Sequence, residues 1–494
     1  MIPNKTISKY IVLTIGLIAY TFSGLNWNVG IAAWLAPVLL LYYSKNSKWS
    51  GILLLGLGIA IASAISKSAE NLPGIFLIYI TTGLGYGLVY TLPFVLEKLL
   101  TGKDERFYTT LVFPSAVVLI DYLLSLLIGI WGHPAIAQYH NFNLIQIASL
   151  FGVFGISFLV AWFASILNWV LQNGLKTNRL VKGLAVYGFA LVAVLLFGFL
   201  KTGNSQVESK KVKLAAIVSN TDIQEVFSDW EGEIRELAKG SDQEIPSGVF
   251  SEFSAVESQI KKTQKALSQG AKIVVWNEIS LILQQSQLDA LVQEIGILCK
   301  ENEAYVLLAV LAKSSDNLPL PFDNKTILLT PEGEIAWEYP KHWLSPMERL
   351  IINSGDAPIP HIDTEYGRIG NAICSDLDFT RHISQIGNEG IDILLVPAFD
   401  WEEVTPYHSN MAAFAAIQYG VSIVRANGKG MVAFMDHHGK VLEQSNTFVS
   451  DSEIFYAEIP LNSSTTLYSE IGNLFVFVLM AFLALMTGIR ISKG

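Results

Sequence analysis

Residues 324–346, NKTILLTPEGEIAWEYPKHWLSP, decide the reading of this 494-residue chain. Two β-prone apolar runs flank Pro331, Glu332 and Gly333, residue types that make a turn, so the stretch reads as a β-hairpin. Its second strand gives out into Lys341. Upstream, AKIVVWNE (271–278) is a short apolar strand followed by Glu278; downstream, RIGNAICSD (368–376) is a strand ending at Cys374. Layered α/β folds collect their reactive groups beyond strand ends. A carboxylate, an ammonium and a thiol brought to one rim supply a base, a charge stabiliser and a nucleophile, the constellation of acyl-transfer chemistry.

The same alternation extends outward from that stretch. KVKLAAIVSN (211–220) reads as a strand, 254–270 as a helix ending at Gly270, 286–302 as a helix and AYVLLAVLAK (304–313) as a strand. Beyond the thiol, 379–390 reads as a helix, 391–399 as a strand, 405–420 as a helix, 421–427 as a strand and 431–444 as a hairpin. Strands alternating with helices, plus hairpins, imply a layered α/β domain with mixed sheets.

That domain is fenced by apolar sequence. The chain is 51% hydrophobic and 15% charged, beyond the range of soluble globular proteins. Eight spans are expected, at 8–25, 27–43, 50–66, 74–97, 108–131, 145–171, 183–200 and 471–490, against about 20 apolar residues per crossing. With the N-terminus inside, the inner segments carry Lys5, Lys9, Lys45, Lys48, Lys98, Lys103, Arg106, Lys176, Arg179, Lys182, Arg490 and Lys493 and the short outer loops only Lys67, a strong positive-inside bias. The expected division is a membrane domain of seven helices over 1–203, an extracytoplasmic catalytic domain over 204–466 and a final helix over 467–494. Lys5 and Lys9 before an apolar run resemble a signal peptide, read here as a retained first helix.

The net charge of −10 excludes a nucleic-acid partner. Of the two cysteines, Cys299 falls in a helical pattern and reads as a buried apolar residue. The isolated His382 and His408, and the adjacent His437 and His438, form no metal-ligand spacing, so neither a metal nor a cofactor is expected. Asp121, inside the fifth span, marks either function or bonding to neighbouring helices.

The order Glu278, Lys341, Cys374 resembles the nitrilase superfamily, whose catalytic triad is Glu, Lys and Cys on a four-layer α-β-β-α sandwich. The whole chain resembles the membrane-bound apolipoprotein N-acyltransferase family within it. Residues 27–45 and 138–162 are similar to that family's helices, and KHWLSP, AICSD, 406–420 and VRANGKG to its lysine, cysteine, helix and Arg-Ala-x-Asn segments. There are departures. Asn277 stands where the family has Pro, Ser375 and Asp376 where it has Tyr-Glu, and Phe399, Asp400 and Trp401 are closer to soluble nitrilases. Glu348 is the counterpart of the family's second glutamate.

The resemblance implies transfer of an acyl chain from a phospholipid, through a Cys374 thioester, to the α-amino group of a diacylglyceryl cysteine of apolipoproteins. It further implies a monomer in the bacterial inner membrane with both termini cytoplasmic. Ser375, by its backbone N–H, Trp401, as a wall of the acyl site, and Trp343, at the lipid entry, are the supporting candidates. The segment from Trp343 to Ile352 and the outer loop WGHPAIAQYHNFN (131–143) are expected to gate lipid entry. Three rival readings stand beside this one: a tethered amidase acting on a small substrate, acyl transfer to another amine, and an inactive binding module.

Overall fold

The computed structural model describes residues 5–24, 27–68, 76–102, 106–172, 177–203, 210–219, 232, 245–315, 317–461 and 464–492. Lys103, Lys176 and Lys493, counted above in the charge bias, lie outside these residues. The chain divides into two compact units, one of Met1–Val207 with Thr466–Gly494 and the other of Glu208–Thr465.

The first unit is helical: α1 (Lys5–Thr21), α2 (Gly30–Lys45), α3 (Trp49–Ser68), α4 (Phe76–Val89), α5 (Leu92–Thr101), α6 (Val112–Ile128), α7 (Phe142–Ile145), α8 (Ala148–Gln172) and α9 (Thr177–Gly203). Among the described residues, five helical stretches are long and apolar enough to cross a membrane: Trp49–Ser68, Phe107–Ile128, Ala148–Gln172, Val181–Gly203 and Leu474–Ile491. The other three expected spans fall short for local reasons. The apolar part of α1 covers Lys9–Thr21, α2 has 16 residues with Pro37 inside it, and the fourth span breaks between α4 and α5, where Pro93 opens a new helix. Asp121 on α6 is fully buried and partnered: the Tyr90 hydroxyl donates to it, and His133 Nε2 lies 3.4 Å from its Oδ2.

The second unit holds two sheets. The first runs β13 (Ile454–Pro460), β1 (Lys211–Ile217), β2 (Ile273–Trp276), β4 (Tyr305–Lys313), β5 (Phe322–Leu329), β6 (Ile335–Pro340), with the two-residue β3 (Ile282–Leu283) also on β4. The second runs β12 (Val441–Asn446), β11 (Met431–Met435), β10 (Ser422–Asn427), β9 (Ile393–Ala398), β8 (Gly367–Asn371), β7 (His361–Thr364). Each has a parallel centre, β1–β2–β4 and β8–β9–β10, flanked by antiparallel strands.

Side-chain alternation along the strands creates the layers. Val212, Leu214 and Ala216 of β1 face the second sheet and pack with Leu395 and Val424, whereas Ala215 and Ile217 face outward. There they meet helices α10 (Phe253–Ser268) and α11 (Gln285–Asn302) through Ile260, Leu288, Leu291 and Cys299. Two short helices, α12 (Thr380–Ile383) and α13 (Gln385–Glu389), replace the single one expected after the thiol, and α14 (Tyr407–Tyr419) covers β10 and β11. The result is an α-β-β-α stack of the kind the resemblance implied. The sequence reading omitted β3, β7 and β13. Of these, β3 is only two residues, and β7 and β13 are partly exposed edge strands without a continuous buried run. The chain ends with α15 (Leu467–Ile471) and α16 (Leu474–Ile491).

Truncating the inter-sheet contact tests this packing. Leu395→Ala, at a fully buried site, is expected to destabilise by about 2–5 kcal/mol. Val449→Ala, at an 83% exposed site, should stay within about 0.5 kcal/mol. Thermal melts of the detergent-solubilised protein distinguish the two.

Candidate active site

Glu278 sits two residues past β2 on a strained corner. Ile279, which follows it, has φ +49°, a left-handed conformation that a β-branched side chain avoids. The Asn277 side chain holds this corner: its Oδ1 accepts from Ser219 N (2.7 Å) and its Nδ2 donates to the Glu278 carbonyl (2.9 Å). Ser280 Oγ donates to the Asn277 carbonyl at 2.5 Å. Asn277 therefore stiffens this corner through its side-chain hydrogen bonds.

The corner aims Glu278 at Lys341, one residue past β6. Lys341 Nζ donates to Glu278 Oε1 at 2.7 Å and to Glu348 Oε1 and Oε2 at 2.7 and 2.9 Å. Asn324 of β5 donates from Nδ2 to Glu278 Oε1 at 2.7 Å and to Glu348 Oε1 at 3.2 Å. Glu348 is fixed further by the backbone N–H of Ser345 at 2.7 Å.

The two carboxylates are driven apart in proton affinity. Burial raises Glu278, and the charge of Glu348 adds to that, more than Lys341 and its hydrogen bonds offset. Glu348 is also opposed by burial, but the Lys341 ammonium and the Ser345 donors prevail and hold it below the usual carboxylate range. Burial works against the Lys341 charge, yet the two glutamates and Cys374 hold its pKa well above normal. The arrangement sets a Glu278 of raised proton affinity beside a Glu348 and a Lys341 that each hold their charge more firmly than usual.

Cys374 opens a 3-10 helix, Cys374–Asp378, that starts three residues beyond β8. Its φ is +47°, so the thiol too is presented from a strained corner. The thiol is buried, and burial, followed by the Glu278 carboxylate, pushes it well above the ordinary value; Lys341 pulls the other way. Asp376 ties this turn to the lysine loop. Its Oδ1 accepts from His342 N (3.2 Å) and Trp343 N (2.7 Å), and its Oδ2 from Tyr339 Oη (2.9 Å) and Ile373 N (3.1 Å). Ser375 Oγ donates to the Trp343 carbonyl at 2.6 Å. Burial raises Asp376 to about 7 despite these donors.

Glu278, Lys341, Cys374 and Glu348 are thus brought together. Ser375 and Trp343 belong to the clamp between the two loops, and Trp343 stacks on Phe379 with ring centroids 3.8 Å apart. Trp401 is half-buried just past β9. One expectation needs correction: Leu344, assigned to the lipid gate, is buried among Val249, Phe250, Ile279 and Ile351, while Met347 and Leu350 are exposed. Asn324 went unread, although an Asn inside an apolar strand was a usable signal.

His408 was taken as isolated; its ring nitrogens in fact contact Asp400 and Asp378. A donor atom of Cys374, one of Asp400 and one of His408 lie within 4.8 Å of one another, a spacing that could hold a metal ion. His408 already spends both ring nitrogens on carboxylates, and the Arg425 cation stands 3.0 Å from Asp400, so the donor set suits an ion-pair network better than a cation.

Asp376→Ala removes the acceptor shared by both loops. Nucleophilic reactivity of Cys374 toward an activated ester is expected to fall about 100-fold, the cost of misplacing reacting groups by about 1 Å, with circular dichroism unchanged. Stopped-flow acylation kinetics provide the check.

Comparison with known proteins places this geometry. The model of the carbon-nitrogen hydrolase family matches residues 212–468, and that of the apolipoprotein N-acyltransferase N-terminal domain residues 16–166. Apolipoprotein N-acyltransferase of Geobacter metallireducens is 24% identical over 430 residues, covering 81% of this chain and 78% of the relative. That of Borreliella burgdorferi is 24% identical over 431 residues, covering 82% and 77%. An amidase from Nesterenkonia sp. superposes with a TM-score of 0.41 at 14% identity, over 55% of this chain and 97% of the amidase. With Glu278, Lys341 and Cys374 all inside a match that spans more than half its residues, the chain belongs to the carbon-nitrogen hydrolase family, and it carries ahead of that domain an N-terminal domain of apolipoprotein N-acyltransferase type.

Proposed function

We propose that this protein is a phospholipid-dependent N-acyltransferase that completes lipoprotein acylation through a thioester on Cys374. The observation that carries the reading is the buried Glu278–Lys341–Glu348 cluster, with the strained Cys374 turn clamped beside it, in a chain bearing the apolipoprotein N-acyltransferase N-terminal domain. A water-soluble amide needs no helical platform, so the tethered-amidase alternative leaves the first unit unexplained.

In this mechanism Glu278 takes the Cys374 proton as the sulfur attacks an ester carbonyl of the donor phospholipid. The developing oxyanion is met by the Lys341 ammonium and by the N–H of Ser375, one of the donors that a helix start leaves without an intrahelical partner. Collapse expels the lysophospholipid alkoxide, which recovers the proton from Glu278, and leaves acyl-Cys374. The α-amino group of a diacylglyceryl cysteine then attacks the thioester, Glu278 receives its proton, and the amide leaves as the thiol is restored. Glu348 stays ionised throughout and keeps Lys341 oriented. No metal or cofactor enters the scheme.

For the membrane, α1, α2 and the α4–α5 pair join the five long helices as eight crossings. The N-terminus is placed in the cytoplasm and Glu208–Thr465 outside it, with the bacterial inner membrane as the site. α9 and α16 support this reading: only 17% of each span's residues are buried within the protein, against 67% for α8, so their apolar surfaces need a lipid solvent.

Intact-mass measurement after incubation with phospholipid tests the chemistry. Wild-type protein should gain one acyl increment that a diacylated cysteine peptide discharges; Cys374→Ala should gain none, and an adduct that persists with the peptide would remove the proposed acceptor. Because Glu278 must be ionised to act and its proton affinity is raised, thioester formation should fall as the pH drops through a value above the ordinary carboxylate range, and Glu278→Gln should abolish that limb. For topology, a cysteine at Val449 should be labelled by an impermeant maleimide in spheroplasts; protection until lysis would reverse the orientation.

A further inference from the structure

The residues assigned to the chemistry leave a second buried charge cluster beside Cys374 without a role. It is built by the second sheet and its helix: Asp378 ends the 3-10 helix that Cys374 opens, Asp400 follows β9, Arg425 lies on β10 and His408 on α14. All four are buried, between 0% and 3% exposed. Arg425 Nη2 donates to both oxygens of Asp400 at 3.0 and 3.1 Å, and Asn427 Nδ2 donates to Asp400 Oδ2 at 2.6 Å. Ligand atoms of Cys374, Asp400 and His408 lie within 4.8 Å of one another.

Two carboxylate contacts favour a charged histidine. Nδ1 is 2.6 Å from Asp400 Oδ1, and Nε2 is 3.1 Å from both oxygens of Asp378. Carboxylates only accept, so each contact needs a proton on the ring, and two such contacts make an imidazolium. Its Nδ1 also lies 2.9 Å from Arg425 Nη2, a proximity of two donors that Asp400 bridges. The proton affinities agree. Burial alone would lower His408, but Asp378 and then Asp400 reverse this and raise it to about 9. Asp400, despite burial, is held far below the carboxylate range by Arg425 and His408.

We infer that His408 is a positioning residue for the nucleophile: by pairing with Asp378 it anchors the turn that carries Cys374, and with Arg425 it balances the two carboxylates that would otherwise bear on the sulfur. The inference rests on Cys374 as the nucleophile. Five charged groups bear on the thiol from separate elements: Glu278 after β2, Lys341 after β6, Asp400 after β9, His408 on α14 and Arg425 on β10, with Glu348 paired to Lys341 and Asp378 to His408 behind them. With His408 charged, the second-sheet cluster is neutral, two cations against Asp378 and Asp400. Without that cation it carries one net negative charge next to a sulfur that must itself become negative. Arg425 and Lys341 then remain as the only cations among these groups.

Alkylation of Cys374 by iodoacetamide tests this in the full-length protein without any lipid. Cys299 is buried in the α11 core with its thiol pushed up to about 12, so mass adducts report Cys374, with Cys374→Ala as the blank. His408→Gln is expected to shift the rate–pH profile upward by about one unit, roughly tenfold slower alkylation at neutral pH. Asp378→Asn, close to isosteric and removing a negative charge, should shift the profile the other way. It also carries the test should His408→Gln fail to fold. Profiles that keep their midpoint and only lose amplitude, or that shift the same way in both variants, would overturn the inference. Failure of phospholipid to acylate the wild type would sink the proposed function instead and leave this profile as evidence on His408.

Discussion

The Lys341 ammonium, buried between Glu278 and Glu348, is the constraint around which the domain is organised. Burying charge costs several kcal/mol per ion unless partners surround it, and the cluster is assembled from four separate stretches: Glu278 from the corner after β2, Asn324 from β5, Lys341 itself from the loop after β6 and Glu348 from the 3-10 helix Glu348–Leu350. All must arrive in register for any one of them to be tolerated. Removing Glu348 or Asn324 would therefore reach beyond its own hydrogen bonds, because each leaves a buried group under-paired. The second sheet adds a constraint of its own: Thr326 Oγ1 on β5 donates to Asn371 Oδ1 on β8 at 2.5 Å, so the two sheets are fixed to each other close to where their reactive residues emerge.

Strain is concentrated where the chemistry is. Ile279 and Cys374 both adopt left-handed backbone conformations, each of which costs of order 1–3 kcal/mol. Both corners are over-determined by side-chain hydrogen bonds, the first through Asn277 and Ser280, the second through Asp376. Asn277, Ser280 and Asp376 are therefore the residues that hold the strain. Gly428 shows how tight the first corner is: a Cβ there would come within 2.4 Å of Asn277 Nδ2, so the Asn and the Gly make a matched pair.

Glu278, Lys341 and Cys374 were legible in the sequence because each follows an apolar strand, a one-dimensional signal for a three-dimensional rim. The four layers were legible for the same reason, since two-residue alternation and helical periodicity survive in the chain order. Asn324 and His408 were not. Their meaning comes from neighbours 46 and 30 residues away; an Asn inside an apolar strand flags Asn324 as unusual but does not name its partners. Leu344 misled in the opposite direction. An apolar residue beside exposed Met347 and Leu350 looks like part of a lipid-facing patch, yet the turn at Ser345 rotates it into the core with Phe250 and Ile351. The short spans share that origin: hydropathy counts apolar residues but does not register that Pro93 ends one helix and starts another.

Charge conservation links these features to the reaction. The first-sheet set of Glu278, Glu348 and Lys341 carries one net negative charge, and the second-sheet set of Asp378, Asp400, His408 and Arg425 carries none. Losing the Cys374 proton to solvent would place a second negative charge in a buried site, which is why the thiol sits far above its ordinary value. Passing the proton to Glu278 leaves the total unchanged and puts the new anion beside Lys341. In the proposed mechanism the sulfur is therefore mostly protonated at rest and reacts slowly with simple electrophiles, and its thiolate character grows as an ester carbonyl arrives to accept the electron pair. A site that ionised spontaneously would be more reactive and less selective; the proposed mechanism couples ionisation to the substrate instead.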